Sequence, residues 1–234
     1  MRDLTLRVSS VRKATPSSVI VSVGLDGAPF SYRAGQVASL APSEVTTRVP
    51  YSIASAPEET SADSTIQFLI KLDSHGRWGD RFEPLRKGCP LSVRGPSGSF
   101  VFPDDPLEQR FLFIAGGTGI APLRSMIRHA VLTGRSGSIA LLYSARTPAD
   151  FAYLTELRRM ERQGQLHLST TATREIPNRW RGARGRIVAA QLAPLVEDPA
   201  TLCFVCGPAA MVSDVPPMLQ QLGIDCTRIR LEDW

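Results

Sequence analysis

Gly116-Gly117-Thr118-Gly119 follows an apolar run, Phe111 to Ala115, and precedes Leu123, Met126, Ile127 and Ala130 at helical spacing. A turn nearly free of side chains at the carboxyl end of a strand lets a pyrophosphate reach backbone N–H groups, and the next helix adds its N-terminal dipole. Pro122 suits a first helical turn, where no N–H is required. The pattern is not G-x-G-x-x-G, so the NAD-binding Rossmann family is not implied. A ligand-free tight turn would use the same glycines.

Cys206-Gly207-Pro208 has the same setting, after the apolar run Leu202 to Val205 and before Ala209. Cys203-x-x-Cys206 would suit a redox or metal pair, but residues three apart on a strand point to opposite faces. With no second ligand pair zinc is not expected, and no Cys-x4-Cys-x2-Cys run is present to hold an iron–sulfur cluster. Two further groups are Arg48-Val-Pro-Tyr51-Ser52 and a basic stretch with Arg174, Arg179, Arg181, Arg184 and Arg186. Arginine forks are the usual receptors of a phosphomonoester.

The elements that must position these groups fall into two rhythms. Short apolar or alternating runs occur at Leu4–Val8, Val19–Val23, Val37–Leu40, Ile66–Leu72 and Leu91–Val93, separated by turn formers, and predict an antiparallel barrel or sandwich. Only Asp80 to Leu85 has a helical pattern there. Pro103-Asp-Asp-Pro106 is a polar, proline-bounded break, which places domains at 1–104 and 105–234. Beyond it, strands at Phe111–Ala115, Ile139–Tyr143, Leu166–Thr170, Leu202–Val205 and Ile229–Leu231 alternate with helices from Pro122, over Ala149–Arg162 and over Ala209–Leu222. That alternation predicts a doubly wound parallel sheet, covered on both faces.

The 234 residues, 43% hydrophobic, suffice for two cores. Arg2, Asp3, Arg7, Arg12 and Lys13 interrupt the amino-terminal stretch, and no run approaches the ~20 apolar residues of a membrane span. A soluble, cytoplasmic protein without membrane insertion is expected, its four scattered cysteines reduced. The net charge of +5 suits an anionic cofactor or an acidic partner. Nucleic acid is disfavoured, because no basic motif accompanies the sparse aromatic residues, 7% of the chain.

Taken together and in order, the Tyr51-Ser52 run, the Gly116–Gly119 turn and Cys206-Gly-Pro208 resemble the ferredoxin–NADP reductase superfamily. Phe30-Ser-Tyr-Arg-Ala-Gly35-Gln36 is similar to its aromatic-x-x-Pro-Gly-Gln element, with Ala34 for proline, and Gly95-Pro-Ser-Gly98-Ser-Phe100 to the closing run of its barrel. The resemblance spans nearly the whole chain. It implies an N-terminal flavin-binding β-barrel, an NAD(P)-binding α/β domain, and a flavin in the crevice between them. It further implies that Tyr51 packs on the flavin ring, Ser52 hydrogen-bonds near flavin N5, and Arg48 pairs with flavin phosphate. The family spaces that arginine two residues before the tyrosine; here it stands three before.

By the same resemblance, His75-Gly76-Arg77-Trp78-Gly79 takes the flavin pyrophosphate, with Gly79 in place of a hydroxyl residue and Trp78 either covering the flavin or filling a crevice. Cys206 would lie beside nicotinamide C4, and Glu232-Asp233-Trp234 resembles a Glu-x-Tyr ending whose aromatic stacks on flavin. Ser144-Ala-Arg146, Arg174 and Arg186 resemble the residues that bind the NADP phosphate. The cofactors implied are FAD, preferred to FMN, and NADP, with NAD as the alternative. NAD(P)H would pass hydride to flavin and single electrons would go on to a redox partner: a ferredoxin, a flavodoxin or an oxygenase component, acidic in character. A flavin or ferric reductase, or an oxygenase's reductase component, shares the first step. A non-catalytic nucleotide-binding regulatory subunit is the alternative of another class, disfavoured by Ser52, Cys206 and Glu232 occurring together.

Overall fold

The computed structural model describes residues 2–79, 82–135, 137–174 and 177–233. Its contacts divide the chain into two units, Met1–Phe102 with Arg124–Leu132, and Pro103–Leu123 with Thr133–Trp234. Among the described residues no helix is long and apolar enough to cross a membrane.

The first unit is an antiparallel sheet built from β1 (Arg2–Thr15), β2 (Ser18–Gly24), β3 (Val37–Pro42), β4 (Val49–Ser52), β5 (Thr65–Lys71) and β6 (Pro90–Ser97). Their order is β4-β3-β6-β1-β2-β5. The two edges approach where Ile53, just past β4, bridges Phe68 of β5, which curls the sheet towards a barrel. β1 makes the curvature feasible: its first half pairs with β6 and its second with β2, with register shifts at Val8/Ser10 and Lys13/Thr15. Such bulges bend a strand and increase its twist. Leu6, Val8, Val21, Val23, Leu40, Ile66, Phe68, Ile70, Leu91 and Val93 fill the interior.

The expected helix over Asp80–Leu85 is corrected: Phe82 bridges Trp78 in antiparallel fashion and residues 83–85 carry no helix, while Asp80 and Arg81 lie outside the described residues. Phe82 is drawn out of a helical path because its ring packs edge-on against the Trp78 indole, with centroids 5.0 Å apart. The helix of this half is instead α1 (Pro57–Asp63), opened by Ala56, whose N–H donates to Glu59 Oε2 at 2.9 Å.

The second unit holds β7 (Arg110–Gly116), α2 (Ile120–Leu132), β8 (Ser138–Ala145), α3 (Leu154–Arg162), β9 (His167–Ala172), β10 (Ala183–Arg184), α4 (Ala189–Leu192), β11 (Leu202–Gly207), α5 (Ala209–Gln221) and β12 (Ile229–Asp233). Only the first turn of α2 groups with it by contacts. The six strands are parallel, in the order β10-β9-β8-β7-β11-β12. Phe113 and Phe204 face each other across β7 and β11, their rings stacked nearly parallel with centroids 5.1 Å apart. The helix expected over Ala149–Arg162 is broken: a 3-10 turn at Pro148–Asp150 precedes α3, because Tyr153 adopts φ 59°, outside the helical region.

Arg124 to Leu132 belong with the first unit because their side chains are committed there. Arg124 reaches Glu59 at 2.9 Å, Arg128 reaches the same carboxylate at 2.8 Å, and His129 reaches Glu58 at 2.9 Å. Burial alone would raise the Glu59 carboxyl, but Arg124, the Ala56 N–H and Arg128 outweigh it and hold it below its ordinary value of 4.5. A depressed carboxylate stabilises the folded state above that ordinary value, and the contribution is lost as pH falls through the lower folded value. Glu59→Gln should therefore melt at lower temperature than the parent at neutral pH, with the gap narrowing as the solution is acidified from pH 4.5 downward. Thermal melts of both proteins across that range measure it; a constant gap would show that Glu59 acts by packing alone.

Candidate functional site

From β7 the chain winds outward through β8, β9 and β10, then returns to lay β11 and β12 on the other side of β7. The winding therefore reverses between β7 and β11. A crevice opens outside the carboxyl ends of such a pair, where open α/β sheets bind their ligands. Gly116–Gly119 leaves the end of β7 and Cys206–Pro208 leaves the end of β11, in adjacent register, Cys206 beside Ala115.

The two turns meet closely. A Cβ on Gly119 would lie 2.3 Å from the Cys206 carbonyl oxygen, and one on Gly207 would lie 3.0 Å from Gly116 Cα. Only hydrogen fits at Gly119, and Gly207 leaves little more room. Gly117, Thr118 and Gly119 form a 3-10 turn that runs into α2, so the backbone donors of the turn and of the helix's first residues gather at the reversal point. Pro122 lies in that first turn, buried. Tyr143, on β8, had not been singled out in the sequence, and it fixes the turn: its hydroxyl donates to Gly117 O at 3.0 Å and accepts from Ala152 N–H at 3.1 Å. An aromatic at the end of a strand next to β7 is the only signal the sequence carried.

Cys206 is 1% exposed, and its Sγ donates to Glu232 Oε2 of the neighbouring β12 at 3.8 Å. Burial, then the Glu232 and Asp233 carboxylates, push its thiol well above the ordinary range, so the thiol keeps its proton at neutral pH. Cys203 points into the core of this unit, and burial pushes it up to about 12. The two sulfurs diverge, as strand alternation requires. Exposed Cys226 should therefore react readily with iodoacetamide, whereas Cys203 and Cys206 should react only on unfolding. Mass mapping of the alkylated protein measures this, and early labelling of Cys206 would contradict the burial argument.

Ser144 is half-buried at the end of β8, and Arg146 follows it, exposed. The N–H of Arg174 donates to the carbonyl of Arg146 at 2.6 Å, which sets the two residues side by side past β8 and β9. Arg186 follows β10, next in order, and is also exposed. Arg184, by contrast, bonds Pro177 O at 3.1 Å. Three adjacent strands thus each end in an exposed guanidinium, at the same end of the sheet as the glycine turn.

In the first unit, Tyr51 and Ser52 end the edge strand β4, both half-buried. Ile53 N–H donates towards Gln36 on the β3 side, and Ala54 N–H to Gln67 on the opposite side. By alternation Ser52 turns its backbone N–H and C=O to the open edge beside the Tyr51 ring. Pro50 shares that orientation, so its missing N–H costs no ladder bond. A half-buried aromatic beside an outward backbone N–H and C=O is a fitting platform for a planar heteroaromatic ring. Burial raises the Tyr51 phenol, opposed by a hydrogen bond from the Gly79 backbone.

Other expectations for this strand are corrected. Arg48 does not point with Tyr51: it donates to Asp3 at 3.2 Å and Ser92 at 3.0 Å, while Val49 takes the position facing Gly79. The cause is the spacing of three, which by strand alternation puts Arg48 on the face opposite Tyr51. Trp78 is 1% exposed, packed on Phe82 and hydrogen-bonded to Glu83 O at 2.9 Å, so its indole fills the core. The turn at His75–Arg77 is already occupied by an anion of the chain: Asp73 Oδ1 accepts His75 N–H at 2.8 Å and Arg77 N–H at 2.9 Å. Arg77 Nε adds a bond to Oδ2 at 3.0 Å, and Gly76 N–H goes to Asp73 O at 3.1 Å. These donors are spent, which leaves Gly79, at φ 58°, as the part of the run that meets Tyr51. Trp234 lies outside the described residues.

Residues 113–216 match the family Oxidoreductase NAD-binding domain. Over 222 residues the chain is 32% identical to ferredoxin–NADP reductase B of Sorangium cellulosum, covering 89% of this chain and 88% of that protein. The chain belongs to the ferredoxin–NADP reductase family. It is also 32% identical, over 186 residues, to the glycine betaine monooxygenase reductase subunit of Pseudomonas aeruginosa, 78% of this chain but only 50% of that one. The chain thus spans half the length of that relative. Among solved structures it resembles a cytochrome P450 reductase of Amycolatopsis, with a TM-score of 0.86 and 25% identity, over 99% of this chain and 69% of that one. The barrel-like sheet and the parallel sheet are those of the ferredoxin–NADP reductase fold.

Proposed function

We propose that this chain is a ferredoxin–NADP reductase-like flavoenzyme that moves hydride between NADP(H) and FAD and passes electrons singly to a protein partner. The observation that carries the reading is the reversal of winding at β7 and β11, with a glycine-containing turn on each side of it and the two turns in close approach. Hydride exchange with nicotinamide and one-electron release are the chemistry a bound flavin supplies.

The chain's own residues bind, orient and hold protons. The Gly117–Gly119 turn and the start of α2 offer N–H groups and a positive dipole end to the pyrophosphate. Arg146, Arg174 and Arg186 receive the 2′-phosphate, which favours NADP over NAD. Gly207 and the neutral Cys206 thiol leave a small, uncharged floor for the nicotinamide ring, and Glu232 keeps that thiol protonated and oriented. Tyr51 offers its ring to the flavin, and Ser52 offers a donor at the ring's edge near N5. Catalysis of this kind is orientation of two rings and exclusion of water, with no histidine base in the scheme. Arg48 is paired with Asp3, and the His75 and Arg77 N–H groups with Asp73, so the flavin diphosphate would have to displace these carboxylates to use them.

The acceptor is a redox protein docked by charge, acidic to complement the chain's net +5. The likeness to reductases that serve oxygenases supports an oxygenase component as readily as a ferredoxin or flavodoxin. Cytoplasmic location is part of the same reading. Anaerobic reduction of the flavin-loaded protein, followed by presentation of each acceptor class in turn, tests it: transfer to none of the protein acceptors, with rapid transfer to free flavin or ferric chelates, would replace the partner reading with a flavin or ferric reductase.

A further inference from the structure

The segment that leaves Ser52 is held from an unusual direction. Ala54, Ser55 and Ala56 are buried to 0%, 2% and 0% exposure, and their backbone groups are satisfied by side chains rather than by a strand ladder alone. Arg124 Nη1 donates to Ala54 O at 2.7 Å, and Ser125 Oγ donates to Ser55 O at 2.6 Å. Tyr32 Oη adds a bond to Ser55 O at 2.9 Å, and Ala56 N–H is taken by Glu59. The guanidinium itself is 6% exposed with its residue and is fixed by Glu59 through Nη1 at 2.9 Å and Nη2 at 3.2 Å.

A planar fork with two fixed partners holds a third atom, the Ala54 carbonyl, more rigidly than a lysine's single rotatable ammonium could. Ala54 is two residues from Ser52 on an extended path, so it shares Ser52's orientation, and a shift of its carbonyl is carried directly to the Ser52 backbone and hydroxyl. A buried ion pair is weak evidence of a stability role, since an apolar substitute of like volume commonly serves as well.

We infer that Arg124, clamped by Glu59, is a positioning residue for hydride transfer: it holds the Ala54 carbonyl, next to the Ser55 carbonyl held by Ser125 and Tyr32, so that Ser52 meets the flavin edge in one pose. The inference rests on the flavoenzyme reading above. Arg124→Lys, Ser125→Ala and the double variant Glu59→Gln/Arg124→Met are compared with the parent. The double variant keeps the proposal testable if single removal of the guanidinium, which strands Glu59, prevents folding.

The experiment is anaerobic stopped flow of FAD-loaded proteins against NADPH over a range of concentrations, with the absorption spectrum of the bound flavin recorded first. The limiting rate should fall by roughly 10- to 100-fold in the double variant, as misplacement of a reacting group by about 1 Å does. It should fall less in Arg124→Lys and least in Ser125→Ala. The NADPH concentration at half-saturation should stay within about twofold, and the flavin spectrum should shift in the same order as the rates. A merely structural role would move neither the limiting rate nor the spectrum of the folded variants. Equal limiting rates and unchanged spectra, with the parent bleached normally, would overturn the role of Arg124 alone. A parent that takes up FAD but is bleached by neither nicotinamide would overturn the flavoenzyme reading and this inference with it.

Discussion

Gly119→Ala should abolish productive nucleotide binding and destabilise the parallel-sheet unit at once. The added Cβ would lie 2.3 Å from the Cys206 carbonyl oxygen, 2.6 Å from its carbon and 2.9 Å from Gly207 N. All three are backbone atoms at the end of β11, a fully buried strand, so no side chain can swing aside to relieve the contact. Relief requires the two turns to move apart, and that widens the gap across which the pyrophosphate would be held. Overpacking of this kind costs about 1–3 kcal/mol of stability. The loss of alignment should cost a further hundredfold or more in kcat/KM, about 3 kcal/mol of transition-state binding. Calorimetric titration with NADP, set beside thermal melts, separates the two effects. Unchanged affinity in a folded Gly119→Ala protein would show that the turn does not receive the pyrophosphate.

The second large effect is on coenzyme choice. Arg146→Ala combined with Arg174→Ala should weaken NADPH binding by roughly 10- to 100-fold, the equivalent of about 1.5–3 kcal/mol for hydrogen bonds to a charged group, while leaving NADH almost untouched. The two residues are set side by side by the backbone bond from Arg174 N–H to Arg146 O, so neither depends on the other's side chain for its place. Both are exposed, so salt should weaken the NADPH contact in the parent far more than in the variant. Titrations with each nucleotide at low and high salt measure this. Equal weakening of NADH would show that the substitutions disturb the ends of β8 and β9 rather than a phosphate contact.

The parts of the architecture with strong periodic signals were legible in the sequence. Phe111–Ala115 and Leu202–Val205 are near-continuous apolar runs because both faces of a parallel strand are covered, and such runs are hard to mistake for anything but buried strands. The two turns were legible for the same reason: glycine and proline mark the points where strands end. The order of strands, which puts those turns side by side, is not written in any local pattern, because it depends on which side of β7 the returning β11 is laid.

The misreadings have local causes. Asp80–Leu85 carries helical periodicity, yet Phe82 is drawn back against Trp78 by an aromatic contact that a window of sequence cannot reveal. Arg48 and the His75–Arg77 donors looked available because their carboxylate partners had not been paired with them. Asp3 stands 45 residues from Arg48 in sequence, and Asp73 binds the turn through its side chain as well as its main chain. Arg124 was invisible for the opposite reason: a single arginine in an amphipathic helix reads as surface until its carboxylate, 65 residues away, is found buried against it.

The most direct test of the central claim is anaerobic stopped-flow mixing of the flavin-reconstituted protein with NADPH and, separately, with NADH, monitored at the flavin's long-wavelength absorption. Rapid bleaching by NADPH and slower bleaching by NADH is the predicted result. Retention of the oxidised flavin spectrum with both nucleotides, in protein that binds both flavin and nucleotide, would contradict it and leave a nucleotide-binding protein without hydride transfer.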